Sequence, residues 1–189
     1  MKVLIVFGTR PEAIKMAPVV HAFKQHPEFD VRVVSTGQHK ELLQPVLDHF
    51  DIVPDVSFSA MVDGQTLNQL SQRVLCFMDE LLARETPDYV LVHGDTTTSA
   101  MAALAAFHRR VPVAHVEAGL RTGDMYAPFP EEMNRSIVGR IAALHFAPTQ
   151  QAASNLLAEG VNSQTVFVTG NTVIDALYHT RDWLAESGW

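Results

Sequence analysis

The sequence predicts an α/β protein built on an open, Rossmann-like, doubly wound parallel sheet. Three observations carry that expectation. Short β-branched apolar runs alternate with longer amphipathic stretches along the whole chain, which is the β-α-β rhythm of such a sheet. Most of the runs are apolar almost throughout, as strands are when both faces of a parallel sheet are covered. The chemically distinctive residues gather just after the ends of the runs, on the edge where doubly wound sheets bind ligands.

The elements follow in order. KVLIVF (2–7) is the first expected strand and leads into a helix over 11–25. Between them Gly8 relieves a tight turn, and Pro11 suits a first helical turn, where its missing N–H costs nothing. VRVVST (31–36) is the second strand, followed by Gly37-Gln38-His39-Lys40 and a helix over 40–49. In the helical stretch 65–85, Leu67, Leu70, Val74, Met78, Leu81 and Leu82 fall on one stripe. Cys76, in the middle of that helix, reads as a small core hydrophobe. DYVLVH (88–93) ends in Gly94 and Asp95 before a helix over 97–109; Asp95 or one of Thr96, Thr97 and Thr98 is a natural N-cap. VPVAHV (111–116) is followed by Glu117, Ala118, Gly119 and Arg121. The helix over 131–142 opens with Glu131 and Glu132, placed well for the helix dipole. ALHFAP (143–148), a helix over 149–159, TVFVTG (165–170) and a helix over 172–186 complete the pattern. His93 and His115, at the end of a strand or within one, read as hydrogen-bonded core residues.

Composition bounds the function. The 189 residues fit one large domain, with 47% hydrophobic and 19% charged residues and no repeat or low-complexity segment. A net charge of -7 argues against a nucleic-acid backbone as partner. Cys76 stands alone, which excludes an internal disulfide and a cysteine metal cluster. The apolar runs fall short of a membrane span, and the N-terminal one is too short for a signal peptide, so a cytoplasmic protein without membrane contact is expected. The first turn has one glycine and no G-K-[ST]. It is neither a dinucleotide fingerprint nor a Walker A loop, and with no H-x-x-x-H spacing the expectation is no cofactor and no metal.

Four loops from four strands present Arg10, His39, Asp95 and Glu117 to one crevice. The turn at Arg10, with Lys15 a helical turn further on, offers cations at a helix N-terminus, a site suited to phosphate or carboxylate. Read singly, Arg10 and Lys15 are also surface cations, Asp95 a cap and Glu131 a dipole contact. Glu117 helps no helix start. A half-buried carboxylate there has its charged form disfavoured by desolvation, which suits a general acid or base.

Six blocks, FGTRPEAIKMAP, TGQHKELL, LVHGDTTTS, HVEAGLRTGD, PFPEEMNR and VTGNTVIDAL, run in order along the chain. Together they resemble the non-hydrolysing bacterial UDP-N-acetylglucosamine 2-epimerases; hydrolysing relatives share part of the pattern. The resemblance implies a GT-B-type fold of two Rossmann-like domains with the active site between them. Residues 1–189 match the N-terminal domain, with the C-terminal domain, its histidine and most uridine and diphosphate contacts absent. It implies interconversion of UDP-N-acetylglucosamine and UDP-N-acetylmannosamine by elimination and re-addition of UDP, without nicotinamide, and little or no activity from this half alone. By resemblance, Asp95, Glu117 and Glu131 are the acidic catalytic set, with Glu117 moving the proton at C2. Arg10 and Lys15 face the UDP-sugar with Asp95 and Glu117. A second, activating UDP-N-acetylglucosamine would contact Gln38, His39, Glu41 and Gln65. There the pattern departs from the family: Lys40 stands for its arginine, Leu42 for its methionine, and Gly64 where some members have arginine. A homodimer through this domain is also implied. A GT-B-type glycosyltransferase and a hydrolysing epimerase are the alternative readings.

Overall fold

A computed structural model describes residues 1–37 and 40–187, the side chains of 40–42 lying outside the description. Gln38, His39 and the Glu41 side chain, expected at a regulatory site, therefore fall outside the described residues. Among the described residues seven strands form one sheet: β1 (Lys2–Phe7), β2 (Asp30–Ser35), β3 (Val56–Ser57), β4 (Tyr89–His93), β5 (Val113–Val116), β6 (Leu144–Ala147) and β7 (Val166–Val168). Every pairing is parallel and the order is β3-β2-β1-β4-β5-β6-β7. The strand order reverses between β1 and β4, the switch point at which such sheets open a crevice. The helices are α1 (Arg10–Lys24), α2 (Lys40–His49), α3 (Leu67–Glu85), α4 (Thr97–His108), α5 (Glu131–Ile141), α6 (Gln150–Ala158) and α7 (Val173–Ser187).

The runs of β1, β4 and β5 are buried on both faces, as expected, whereas Phe167 and Val168 of the edge strand β7 are exposed. Leu4, Val6, Val34, Val90 and Val92 meet α3 and α4 on one side. Val3, Ile5, Phe7, Val33 and Leu91 meet α1 and α2 on the other. This is the period-two alternation of strand side chains, here with an apolar partner for each face. α7 reaches the α1–α2 side, where the His179 ring stacks on His21 at 5.8 Å. No described helix is long and apolar enough to cross a membrane.

Two details differ from the sequence reading. The β3 strand was not expected; its two residues, paired with Val34 and Ser35, are too few to show any periodicity. Cys76 is exposed and not a core residue. It lies two positions from both Val74 and Met78, which are buried, and so points about 200° round the helix from each. Leu67, at the first turn of the same stripe, is 43% exposed.

Gly119 fixes the β5–α6 packing. Its φ is +89°, and a Cβ there would lie 2.2 Å from the Ala152 carbonyl oxygen. Gly119→Ala is expected to cost about 2–5 kcal/mol, combining left-handed backbone strain with overpacking. A urea unfolding midpoint equal to that of the parent chain would show that α6 shifts freely.

Candidate active site

The carboxyl edge of the sheet is assembled from turns that hold one another. Thr9 caps α1, and Glu12 answers it in a capping box. The Glu12 carboxylate, 2% exposed, does more. Its Oε2 accepts from the Gly8 and Thr9 backbone N–H groups at 3.0 and 2.7 Å. Its Oε1 accepts from the Thr96 and Ser99 hydroxyls at 2.7 and 2.9 Å. The β1–α1 turn is thereby latched to the β4–α4 turn. Gly8 permits the close approach: a Cβ there would lie 2.3 Å from Thr36 Oγ1 and 2.6 Å from Thr98 Oγ1. The Thr9-x-x-Glu12 spacing is the signal that would have revealed Glu12.

Lys15, one turn further along α1, reaches Glu117. Its Nζ donates to Glu117 Oε1 at 2.9 Å and Oε2 at 2.6 Å. Asn171, ahead of α7, donates its Nδ2–H to Glu117 Oε2 at 2.9 Å. The Glu117 side chain is 11% exposed and its φ is +62°. A non-glycine residue there costs about 1–2 kcal/mol and persists only where its neighbours over-determine it. They do: Val116 O accepts from the Gly94 N–H at 2.9 Å, and the Ala118 N–H is held by Phe146 O at 3.0 Å. The lone half-buried carboxylate expected from sequence is instead a paired, fully oriented one.

Behind it lie buried histidines. His115 donates Nε2–H to Gly94 O at 2.7 Å, the hydrogen-bonded core role expected of it. His93 is buried too, but its Nε2 has no hydrogen-bond partner among the described residues and lies 3.8 Å from Glu117 Oε2. Burial, then Lys15, pushes the His93 pKa down to about 3, so this approach is not an ion pair. Burial likewise pushes His115 down to about 3. Both groups bind protons more readily unfolded than folded. Stability is complete above the unfolded value near 6.5 and is lost as pH falls from there towards 3. Moving from pH 7.5 to 5 is expected to cost about 2 kcal/mol for each histidine. His115→Gln, which keeps a donor for Gly94 O, should flatten the dependence; equal unfolding free energies at the two pH values would refute it.

Asp95 is not the helix cap. Thr96 is, its side chain accepting from the Ser99 N–H at 3.1 Å. The Asp95 carboxylate takes an ion pair from Arg135 Nη2 on α5, and Asp95 O accepts from Asn134 Nδ2 at 2.9 Å. Arg135 Nη1 also lies 3.3 Å from Glu132 Oε2. Glu132 Oε1 accepts from the Thr122 and Gly123 N–H groups, both at 3.0 Å. Burial pushes the Glu132 carboxyl up, but those two N–H groups and Arg135 together hold it below the usual carboxylate range. Glu131 is half-buried at the first position of α5, where a dipole contact would place it. Among the described residues no hydrogen bond or ion pair joins it to Asp95 or Glu117. Arg10 is exposed and lines a surface cavity of about 400 Å³ with Pro45, Val46 and His49. Gln65 lies ahead of α3 with its amide on Met61 Sδ at 3.0 Å. No group of three or more His, Cys, Asp or Glu among the described residues is arranged to hold a metal.

The family model described as UDP-N-acetylglucosamine 2-epimerase matches residues 21–188. The chain belongs to this family. It is 56% identical over 187 residues to the UDP-N-acetylglucosamine 2-epimerase of Salmonella typhimurium, covering 99% of this chain and 50% of that protein. It is 55% identical over 180 residues to the enzyme of that name from Bacillus subtilis, covering 95% and 47%. The crystal structure of UDP-GlcNAc 2-epimerase from Neisseria meningitidis bound to UDP-GlcNAc superposes with a TM-score of 0.96 at 48% identity, over 98% of this chain and 50% of that one. The chain thus spans about half the length of the relatives it matches, their N-terminal half.

For an epimerase-family edge, the pairings decide what each group can do. Lys15 and Asn171 hold one carboxylate, Glu117, and α5 holds the other, Asp95. Sequence reasoning named both carboxylates but not the residues that hold this edge together, Glu12, Asn134, Arg135 and Asn171. Lys15, expected to face the sugar nucleotide, donates to both oxygens of Glu117.

Proposed function

We propose that residues 1–189 form the N-terminal Rossmann-like domain of a UDP-N-acetylglucosamine 2-epimerase. The observation that carries this reading is Glu117 at φ +62°, gripped by Lys15 on both oxygens. Removing a weakly acidic C–H needs a fixed base with its proton-accepting oxygens already oriented. Glu117 takes the C2 proton while the C1–O bond to UDP breaks, giving a glycal and UDP. UDP oxygen then re-adds at C1 and a proton returns to the other face of C2. Lys15 orients the base. Asp95 and Glu131 stabilise positive charge developing at C1. Arg10 and the α1 N-terminus supply this half's attraction for the diphosphate. The similarity of the family supports the substrate; the Neisseria protein is the one described as bound to UDP-GlcNAc. The proposal includes cytoplasmic location, self-association through this domain, and activation by a second UDP-N-acetylglucosamine near Gln38, His39, Glu41 and Gln65.

The test is proton NMR of UDP-N-acetylglucosamine in D2O with this chain, alone and with the C-terminal half of the Salmonella relative supplied. Deuterium at C2 with UDP-N-acetylmannosamine accumulating is the expected result with both halves. No exchange in either arm overturns the reading. Free N-acetylmannosamine in place of its UDP ester would point to hydrolytic chemistry, and turnover only with an added acceptor to glycosyl transfer.

A further inference from the structure

We propose, resting on the epimerase reading, that Arg135 is the positioning residue of Asp95. The capping job that sequence offers Asp95 is done by Thr96, so its carboxylate is not spent on the α4 start. Instead α5 grips this one loop residue twice, Arg135 on the carboxylate and Asn134 on the backbone carbonyl. The Arg135 side chain is only 11% exposed. A guanidinium out of water must have its charge matched, and here it bridges two carboxylates. Glu132 is the fixed one: 3% exposed, its other oxygen tied to the Thr122 and Gly123 N–H groups. Asp95 is the more accessible one. Arg135 is thus anchored from behind by Glu132 and holds Asp95 Oδ2, leaving Oδ1 as the oxygen offered to the reaction. An ion pair of this kind is weak as a stabiliser, because desolvation offsets its attraction. A planar fork is strong as an orienting device, which an ammonium copies only in part. No sequence period links residues 95 and 135; the pairing arises because the β4 loop and the start of α5 share one edge of the sheet.

The assay is C2 exchange by this chain with the C-terminal half of the Salmonella relative supplied. Arg135→Met is expected to lower kcat about 10–100-fold with KM within about threefold, the pattern of lost orientation. Arg135→Lys is expected to recover part of the loss. The deciding measurement is the double variant. If Arg135 acts through Asp95, Asp95→Asn with Arg135→Met is no slower than Asp95→Asn alone. Losses that multiply, or an unchanged Arg135→Met rate, overturn the proposal. If the parent pair of halves shows no exchange, the epimerase reading fails on its own account. The Asp95 carboxyl 13C signal of this chain then decides the positioning: a signal unmoved by Arg135→Met overturns it.

Discussion

Glu117→Gln is expected to slow C2 exchange about 100- to 10,000-fold, the range lost when a positioned general base is removed. The substitution isolates the proton-accepting function. Gln keeps the length of the side chain, and its carbonyl oxygen can still accept from Asn171 or from Lys15. The backbone at φ +62° is held by Gly94 and Ala118 contacts that do not involve the side chain. What is lost is the carboxylate that Lys15 grips at 2.9 and 2.6 Å. With the C-terminal half supplied, substrate affinity should change far less than rate. Exchange within about threefold of the parent rate would remove Glu117 from proton transfer and pass the role to Asp95 or Glu131. Lys15→Met should act in the same direction through the same carboxylate, so its effect should largely vanish in the Glu117→Gln background.

Much of this edge was legible in the sequence because a parallel sheet delivers it. Four of the strand runs ended in chemically distinctive residues, and parallel pairing places those ends together. Most of the longer runs were legible because they are apolar on both faces; β3, with two residues, carried no period. Pairing within the edge was not legible. Lys15 and Glu117 lie 102 residues apart, and which carboxylate an ammonium reaches depends on the path of α1 across the sheet. Asp95 and Thr96 read as equal candidates for the cap because Asp and Thr both serve there; only the backbone shows that Thr96 takes it. Cys76 was misplaced because it was read from its position in the middle of an amphipathic helix, without its angle to the buried stripe.

Glu12→Ala is expected to destabilise the chain by about 2–4 kcal/mol, the sum of a lost cap and lost charge-assisted hydrogen bonds. For a chain of this size that lowers Tm by roughly 5–12 °C. No cation is among the described partners of this carboxylate. Its charge is met by four donors, two at the start of α1 and two at the start of α4, where both helix dipoles favour an anion. Two of the donors have other partners within reach: Ser99 Oγ, with one hydrogen to give, also lies 2.5 Å from His93 O, and Thr96 Oγ1 lies 3.1 Å from Ser99 Oγ. The Gly8 N–H makes no other hydrogen bond among the described residues, and its bond to Glu12 is buried. Glu12→Gln is expected to lose stability as well, because its amide N–H groups would face donors on one side of the latch. Thr96→Val in the Glu12→Ala background should then cost less than Thr96→Val alone, since the two residues share one bond. A melting temperature within about 1 °C of the parent for Glu12→Ala would mean that the two turns are held by sheet packing alone. The alignment of Lys15 with Glu117, and of Asp95 with α5, would then need no latch between them.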